Sequence, residues 1–132
     1  MTRGQAKRKS IMTGTCPRCL QSKMYIKSNP YNLSHISKMH ERCPKCDLNY
    51  YPEPGYYFGA MYVTYALVVG QFCVLFALKT IFKYDISIFN FMLIFLAVLF
   101  LLAPINFRLS RVVWLNFFVS YDKELAEKAK MK

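Results

Sequence analysis

Two apolar runs decide the fold: YFGAMYVTYALVVGQFCVLFAL at residues 57–78 and ISIFNFMLIFLAVLFLLAPINF at residues 86–107. Each run has 22 residues and contains no Asp, Glu, Lys, Arg or His. As a helix each would be about 33 Å long, which is enough to cross a hydrocarbon core about 30 Å thick. Only residues 79–85 separate the runs, so the sequence predicts a tight antiparallel transmembrane hairpin. A buried helix pair in a soluble protein is the alternative, but both runs exceed the threshold of about 18 residues for a membrane span.

The composition of the whole chain agrees with this division into apolar and basic parts. Of its 132 residues, 55% are hydrophobic and 19% are charged, yet the formal net charge is +11. The hydrophobic fraction excludes a disordered chain. A secreted disulfide scaffold is also excluded, because five cysteines cannot all pair and four of them form two CxxC motifs.

The positions of Lys and Arg predict the orientation of the hairpin. Residues 1–56 hold ten of them, residues 108–132 hold six, and the loop at 79–85 holds two. Since basic residues are enriched on the cytoplasmic side, both termini are expected to be cytoplasmic. Proton pumps, ion-coupled transporters and haem or copper subunits normally carry ionisable residues inside their spans, so we expect no such activity from this hairpin alone.

Two Cys-Pro-x-Cys motifs precede the first span. Cys16 and Cys19 form the first pair, and Cys43 and Cys46 form the second after 23 intervening residues. This spacing is typical of a closed site of four thiolates, with zinc as the predicted metal and no open position for a substrate. A rubredoxin-like iron site is the alternative.

The histidines and the flanking segments complete the interpretation of the N-terminal region. His35 and His40 lie between the two pairs and are interpreted as exposed loop residues, because four cysteines already fill the shell. Short strands are expected at 24–26 and 48–51. The sequence therefore predicts a flexible basic arm at 1–14, a small β zinc ribbon at 15–51 and a stiff linker at 52–56.

The C-terminal segment, residues 108–132, is predicted to be an interfacial helix that continues into the cytoplasm. Arg108 and Arg111 would face outward toward lipid phosphates or a partner protein. Trp114 and Phe118 belong to an aromatic stripe with helical spacing, and they are expected to pack against the ribbon near Tyr50 and Tyr51. Within the hairpin, Gln71 and Asn90 are expected at a similar depth, where amides can bond across helices.

The two cysteine motifs, the segment PEPGYYFGAMYVTYAL and the ending RLSR…WLNFFVSYD together resemble a bacterial family, domain-of-unknown-function family 983. The resemblance runs from about Thr15 to Asp122, and its details are similar to the Bacteroidota branch. It implies a protein of the bacterial inner membrane, and a role in cytochrome c oxidase assembly or as an accessory subunit of that enzyme. The sequence departs from zinc ribbons that carry glycine after each second cysteine, since Leu20 and Asp47 stand there.

The sequence is compatible with three functions. The leading one is a non-catalytic accessory or assembly protein whose zinc ribbon contacts a larger membrane complex, without a catalytic residue or a small-molecule substrate. The second is a membrane-tethered nucleic-acid-binding ribbon, although its basic charge is already expected from the membrane orientation. The third is an iron redox protein.

Overall fold

The computed structural model describes residues 2–132 and consists mainly of four α-helices. The helices are α1 (Arg3–Thr13), α2 (Phe58–Ile81), α3 (Ile88–Phe118) and α4 (Lys123–Met131). Between α1 and α2 lies a segment of turns at residues 15–51, called the metal module below, with one short 3-10 turn at Leu33–His35.

Helices α2 and α3 pack against each other as an antiparallel hairpin. Both are long and apolar enough to cross a membrane. Large apolar side chains point outward along both of them, for example Phe76, which is 55% exposed, and Phe100, which is 72% exposed. The core helix of a soluble domain would bury such side chains. The two predicted candidate spans are therefore present as helices.

Aromatic and amide contacts fix how the two helices of the hairpin are aligned. Phe72 contacts Phe91 and Phe95 edge-on, with ring centroids 5.8 and 5.3 Å apart. Gln71 exchanges two amide hydrogen bonds with Asn106, at 2.9 and 3.3 Å. The expected pairing of Gln71 with Asn90 was wrong, because Asn90 lies in the first turn of α3, close to the connecting loop.

Helix α3 does not stop where the apolar run ends. It continues unbroken through Pro104 to Phe118, so the predicted separate interfacial helix at 108–132 is instead the last part of α3 followed by α4. Pro104 weakens its own turn because it lacks an N–H. In that turn the Tyr31 hydroxyl donates a hydrogen bond to the Leu101 carbonyl at 3.1 Å. With 31 residues, α3 is about 46 Å long and extends well beyond the thickness of a hydrocarbon core.

Residues 3–13, expected to form part of a flexible arm, are helix α1. Thr2 and Gln5 form a reciprocal capping box at its start, and Gly14 ends the helix with a φ of 65°. Ala6 and Ser10 are fully buried, and the Asn116 side chain of α3 donates a hydrogen bond to Ser10 Oγ at 3.1 Å. The periodicity of large apolar residues could not reveal this helix, because its buried face consists of small side chains.

The metal module contains no β-strand among residues 2–132, although a small β ribbon was expected. Instead it has three isolated antiparallel bridges, which pair Thr15 with Lys23, Tyr25 with Met39, and Arg42 with Asn49. Two of the bridges flank a cysteine turn, the third closes the longer loop between the cysteine pairs, and none of the three extends into a ladder. The turns, rather than a sheet, position the cysteines.

Candidate metal centre

The two cysteine motifs come together as one compact cluster. The Sγ atoms of Cys16, Cys19, Cys43 and Cys46 all lie within 4.8 Å of one another. The Cys16–Cys46 and Cys19–Cys43 sulfur distances are both 3.7 Å. A tetrahedral metal about 2.3 Å from each thiolate would separate the sulfurs by about 3.8 Å. The four residues therefore fit a single tetrahedral metal ion.

The same backbone turn presents each pair of cysteines. The N–H of Leu20 donates to the Cys16 carbonyl, and the N–H of Asp47 donates to the Cys43 carbonyl, both at 2.9 Å. Leu20 and Asp47 also share a left-handed conformation, with φ values of 57° and 56°. Leu20 and Asp47 therefore adopt the left-handed conformation that glycine favours, and the two motifs form the same turn.

Burial and the neighbouring backbone N–H groups shift the pKa values of the cysteines in opposite directions. Burial raises the pKa of Cys16 to about 11, although the N–H groups of Cys19 and Arg18 favour its thiolate. Burial also acts to raise the pKa of Cys43, but there the N–H groups of Cys46 and Lys45 contribute to lowering it to about 7. A bound cation offsets both the burial and the mutual repulsion of thiolates, which is the electrostatic reason for a metal here.

Tyr50 supplies a buried hydroxyl beside the cluster. Its side chain is fully buried, and its Oη has no hydrogen-bond partner among residues 2–132. Burial and the adjacent Cys16 sulfur raise its pKa, so the hydroxyl keeps its proton. An unpartnered buried donor next to thiolates suits a site that carries negative charge on its sulfurs. This is a second feature, besides the sulfur distances, that fits a bound metal.

Neither histidine belongs to the cluster of possible metal ligands in residues 2–132, and neither does Cys73. Both histidines are half-buried rather than exposed as expected, and His35 lies at the end of the 3-10 turn, where its backbone carbonyl accepts a hydrogen bond from Arg108. Cys73 is exposed on α2, away from the module.

Arg108 fastens the metal module to α3. The prediction that it faces outward was wrong, because its side chain is buried with 8% exposure. Its Nη1 donates to the Lys27 carbonyl at 2.8 Å, and its guanidinium lies 4.6 Å from the centre of the Tyr25 ring. Further contacts reach the carbonyls of Ser28 and His35. The loop between the two cysteine pairs is thus held by a cation that satisfies its backbone acceptors.

The aromatic stripe packs close to the predicted place but against different residues. Trp114 donates from Nε1 to the Tyr56 carbonyl at 2.9 Å, and its ring lies directly over Gly59. Phe118 stacks edge-on with Tyr56 and stays 63% exposed. The α3 residues that share the buried core with Tyr50 are Val112 and Leu115, which follow the other face of the helix.

The sequence named two important residues without predicting what they do. Tyr50 was expected as part of a strand and as a packing partner of the aromatic stripe, and nothing in its local pattern points to a buried hydroxyl beside the cysteines. Arg108 was interpreted from its position near a membrane boundary, where arginines usually face phosphates. Its real partners are backbone carbonyls about 80 residues earlier in the chain, and such a contact leaves no short-range signal.

Replacing Leu20 by glycine is expected to stabilise the metal module by about 1 kcal/mol. A side chain with a Cβ is strained in the left-handed conformation, whereas glycine is not. The measurement is the denaturant midpoint for metal release from the purified protein. Asp47→Gly is the matched variant in the second turn, and its gain should be smaller because Asp tolerates this conformation better. A loss of stability in Leu20→Gly would contradict the strain argument.

Comparison with protein families gives a match. A family model described as "Protein of unknown function (DUF983)" matches residues 34–118. That range contains the second cysteine pair, α2 and all of α3 up to its last residue. No curated protein and no solved structure matches the chain.

Proposed function

Because the chain belongs to the DUF983 family, which is described only as having unknown function, we propose its role from its own architecture. We propose that it is a non-catalytic accessory or assembly protein of a larger membrane complex. In this proposal the metal module is a rigid contact surface, held at one end of the transmembrane hairpin.

One observation carries the proposal: α3 is a single helix that belongs to both the hairpin and the module. Its apolar half packs on α2, while Val112 and Leu115 from its last turns enter the core around Tyr50 and the cysteines. The Arg108 contacts to the Lys27 carbonyl add a second attachment. A module that must move between partners would need a flexible tether, whereas this one is fixed relative to the membrane spans.

Zinc is the metal that we assign to the four cysteines. Tetrahedral thiolate sites suit zinc or iron, and a closed zinc site made of four cysteines serves folding rather than catalysis. Cys16, Cys19, Cys43 and Cys46 would hold the ion, and the ion would supply cross-linking of the two turns. Metal analysis together with a visible absorption spectrum tests this assignment, and iron as the main metal would overturn it.

We further propose that the protein lies in a bacterial inner membrane with the module and both termini in the cytoplasm. In support, Asn116 of α3 contacts Ser10 of α1, and the Asp122 N–H donates to the Arg18 carbonyl at 3.2 Å. The two ends of the chain are thus on one side of the hairpin, and this side carries most of the Lys and Arg residues.

Cysteine labelling tests the orientation. In a Cys73→Ser background, a cysteine in place of Lys83 should react with a membrane-impermeant maleimide that is added to spheroplasts. A cysteine in place of Lys130 should react only after the inner membrane is opened. Both positions are exposed and lie at opposite ends of the hairpin. The reverse pattern would place the module outside the cytoplasm.

Affinity purification in a mild detergent tests the accessory role. The wild-type protein should retain stoichiometric membrane-protein partners, and the resemblance to family 983 makes cytochrome c oxidase the first complex to look for. Phe117→Ser changes a side chain that is 70% exposed on the last turn of α3, and should weaken partner retention without releasing metal. Its matched control is Met12→Ser, also strongly exposed but on α1. A wild-type protein that purifies alone, and whose deletion alters no membrane complex, would refute the proposal.

A further inference from the structure

A cavity of about 790 Å³ lies where the linker meets the first turns of α2 and the exit of α3. Its walls are largely apolar and aromatic, with one basic and one acidic side chain. Its lining includes Glu53, Tyr57, Met61, Tyr65, Phe107 and Arg111. Its size lies in the range of about 300–1,000 Å³ that is usual for small-molecule sites.

Arg111 brings a cation with free donors to this cavity. Its guanidinium lies 5.1 Å from the Tyr57 ring centre and 4.5 Å from that of Phe107. Within the part of the chain that the structure describes, its hydrogen bonds amount to one weak contact with the Met39 sulfur at 3.9 Å. Arg108, one turn earlier, uses its donors on carbonyls of the module. Arg111 is therefore the arginine with capacity for an anionic ligand.

Glu53 supplies an opposite charge on the wall of the same cavity. Across residues 2–132, the ion pair within 4 Å is Arg42 with Asp47, so no salt bridge joins Glu53 to Arg111. Two unpaired opposite charges in one cavity complement a ligand that carries both signs. A phosphate would suit Arg111, which can bind it through two parallel N–H donors.

The apolar part of the cavity is bordered by side chains of α2 that are exposed on the hairpin surface. Met61 and Tyr65 lie on the first two turns of α2 and are 66% and 72% exposed. Farther along α2 the exposed surface remains apolar, as Phe76 shows. An occupant that enters from the bilayer can thus keep its hydrocarbon chain along α2 and place its polar head between the two charges.

We propose that this cavity binds one phospholipid whose head carries a phosphate and a primary ammonium, that is, a phosphoethanolamine head. Arg111 binds the phosphate, Glu53 accepts hydrogen bonds from the ammonium, and the glycerol and upper acyl chain lie along Met61 and Tyr65. The site is independent of the accessory role proposed above, since it requires only the bilayer as a source.

Lipid retention measured by native mass spectrometry tests the site. The full-length protein is reconstituted in vesicles of equal parts phosphatidylethanolamine, phosphatidylcholine and phosphatidylglycerol, and then extracted in mild detergent. We expect one retained lipid per chain, with phosphatidylethanolamine enriched about tenfold over the other two. Arg111→Gln should lower retention of all three lipids about tenfold, as loss of a charge-assisted bond implies. Glu53→Gln should remove the preference for ethanolamine while retention itself persists.

Arg8→Gln is the matched control, because it removes the same charge from an exposed position on α1. It should leave both retention and preference unchanged. Equal retention of the three lipids by the wild-type protein would overturn the headgroup assignment. A photo-crosslinker at Met61 that captures a polypeptide instead of lipid in native membranes would show that a partner protein covers the cavity, and would overturn the proposal.

Discussion

Replacing Cys43 by serine is expected to release the metal and unfold the metal module, while both candidate membrane helices stay inserted. The site is closed, so loss of one thiolate leaves the ion without a replacement ligand. Neither His35 nor His40 belongs to the ligand cluster in residues 2–132. Structural zinc contributes about 10–16 kcal/mol to the folding free energy of small modules at neutral pH. This contribution exceeds the folding free energy that the small apolar core supplies. Each span, by contrast, inserts through its own hydrophobicity.

The measurements for Cys43→Ser are metal content per chain and resistance of the protein to alkaline extraction from membranes. We expect metal content to fall to near zero and membrane retention to stay at the wild-type level. Cys73→Ser is the matched control, since Cys73 is exposed on α2 and lies outside the cluster. Full metal occupancy in Cys43→Ser would disprove the four-thiolate site.

Trp114→Ala is expected to destabilise the packing of α3 against the linker and the first turn of α2 by about 3 kcal/mol. This value is at the low end for a large aromatic residue, because the Trp114 ring is only half-buried. The substitution also removes the hydrogen bond from Nε1 to the Tyr56 carbonyl. The denaturant midpoint for unfolding of the purified protein measures the effect. Phe117→Ala serves as a control on the same turn of α3 and should change the midpoint little, since Phe117 is 70% exposed.

Gly59 gives a second test of the same contact. A Cβ added there would overlap the six-membered ring of Trp114, so Gly59→Ala should cost about 1–3 kcal/mol through overpacking. In the double variant with Trp114→Ala the overlap disappears. The two changes should therefore cost less together than the sum of their separate effects. Strict additivity would show that the ring does not rest on Gly59.

The hairpin, the cysteine cluster and the family could be predicted because their signals are local. Two apolar runs and two CxxC motifs carry their meaning within a few residues, and the family match over residues 34–118 confirms family 983, while the Bacteroidota branch stays a prediction. Helix α1 was missed since Ala6 and Ser10 form a buried face without large apolar residues.

The attachment of the module and the linker to the hairpin depends on contacts between distant parts of the chain. Arg108 bonds carbonyls about 80 residues away, and Trp114 bonds a carbonyl 58 residues away. Backbone carbonyls are present at every position, so no residue type marks which of them an arginine or tryptophan will use. The predicted strands at 24–26 and 48–51 are absent for a related reason. The observed bridges are one residue pair long, and the turns that carry the cysteines determine them rather than strand propensity.

The sharing of α3 between hairpin and module also dictates the order of events during synthesis. All four cysteines and Tyr50 leave the ribosome before either span, but Val112 and Leu115, which complete their core, follow more than sixty residues later. At about 5–20 residues per second this is a delay of several seconds. We expect nascent chains stopped before Val112 to yield their metal to a chelator faster than full-length chains. Equal rates would show that the module is complete without α3. On this expectation, a stable metal centre would form only after the second candidate span has been synthesised.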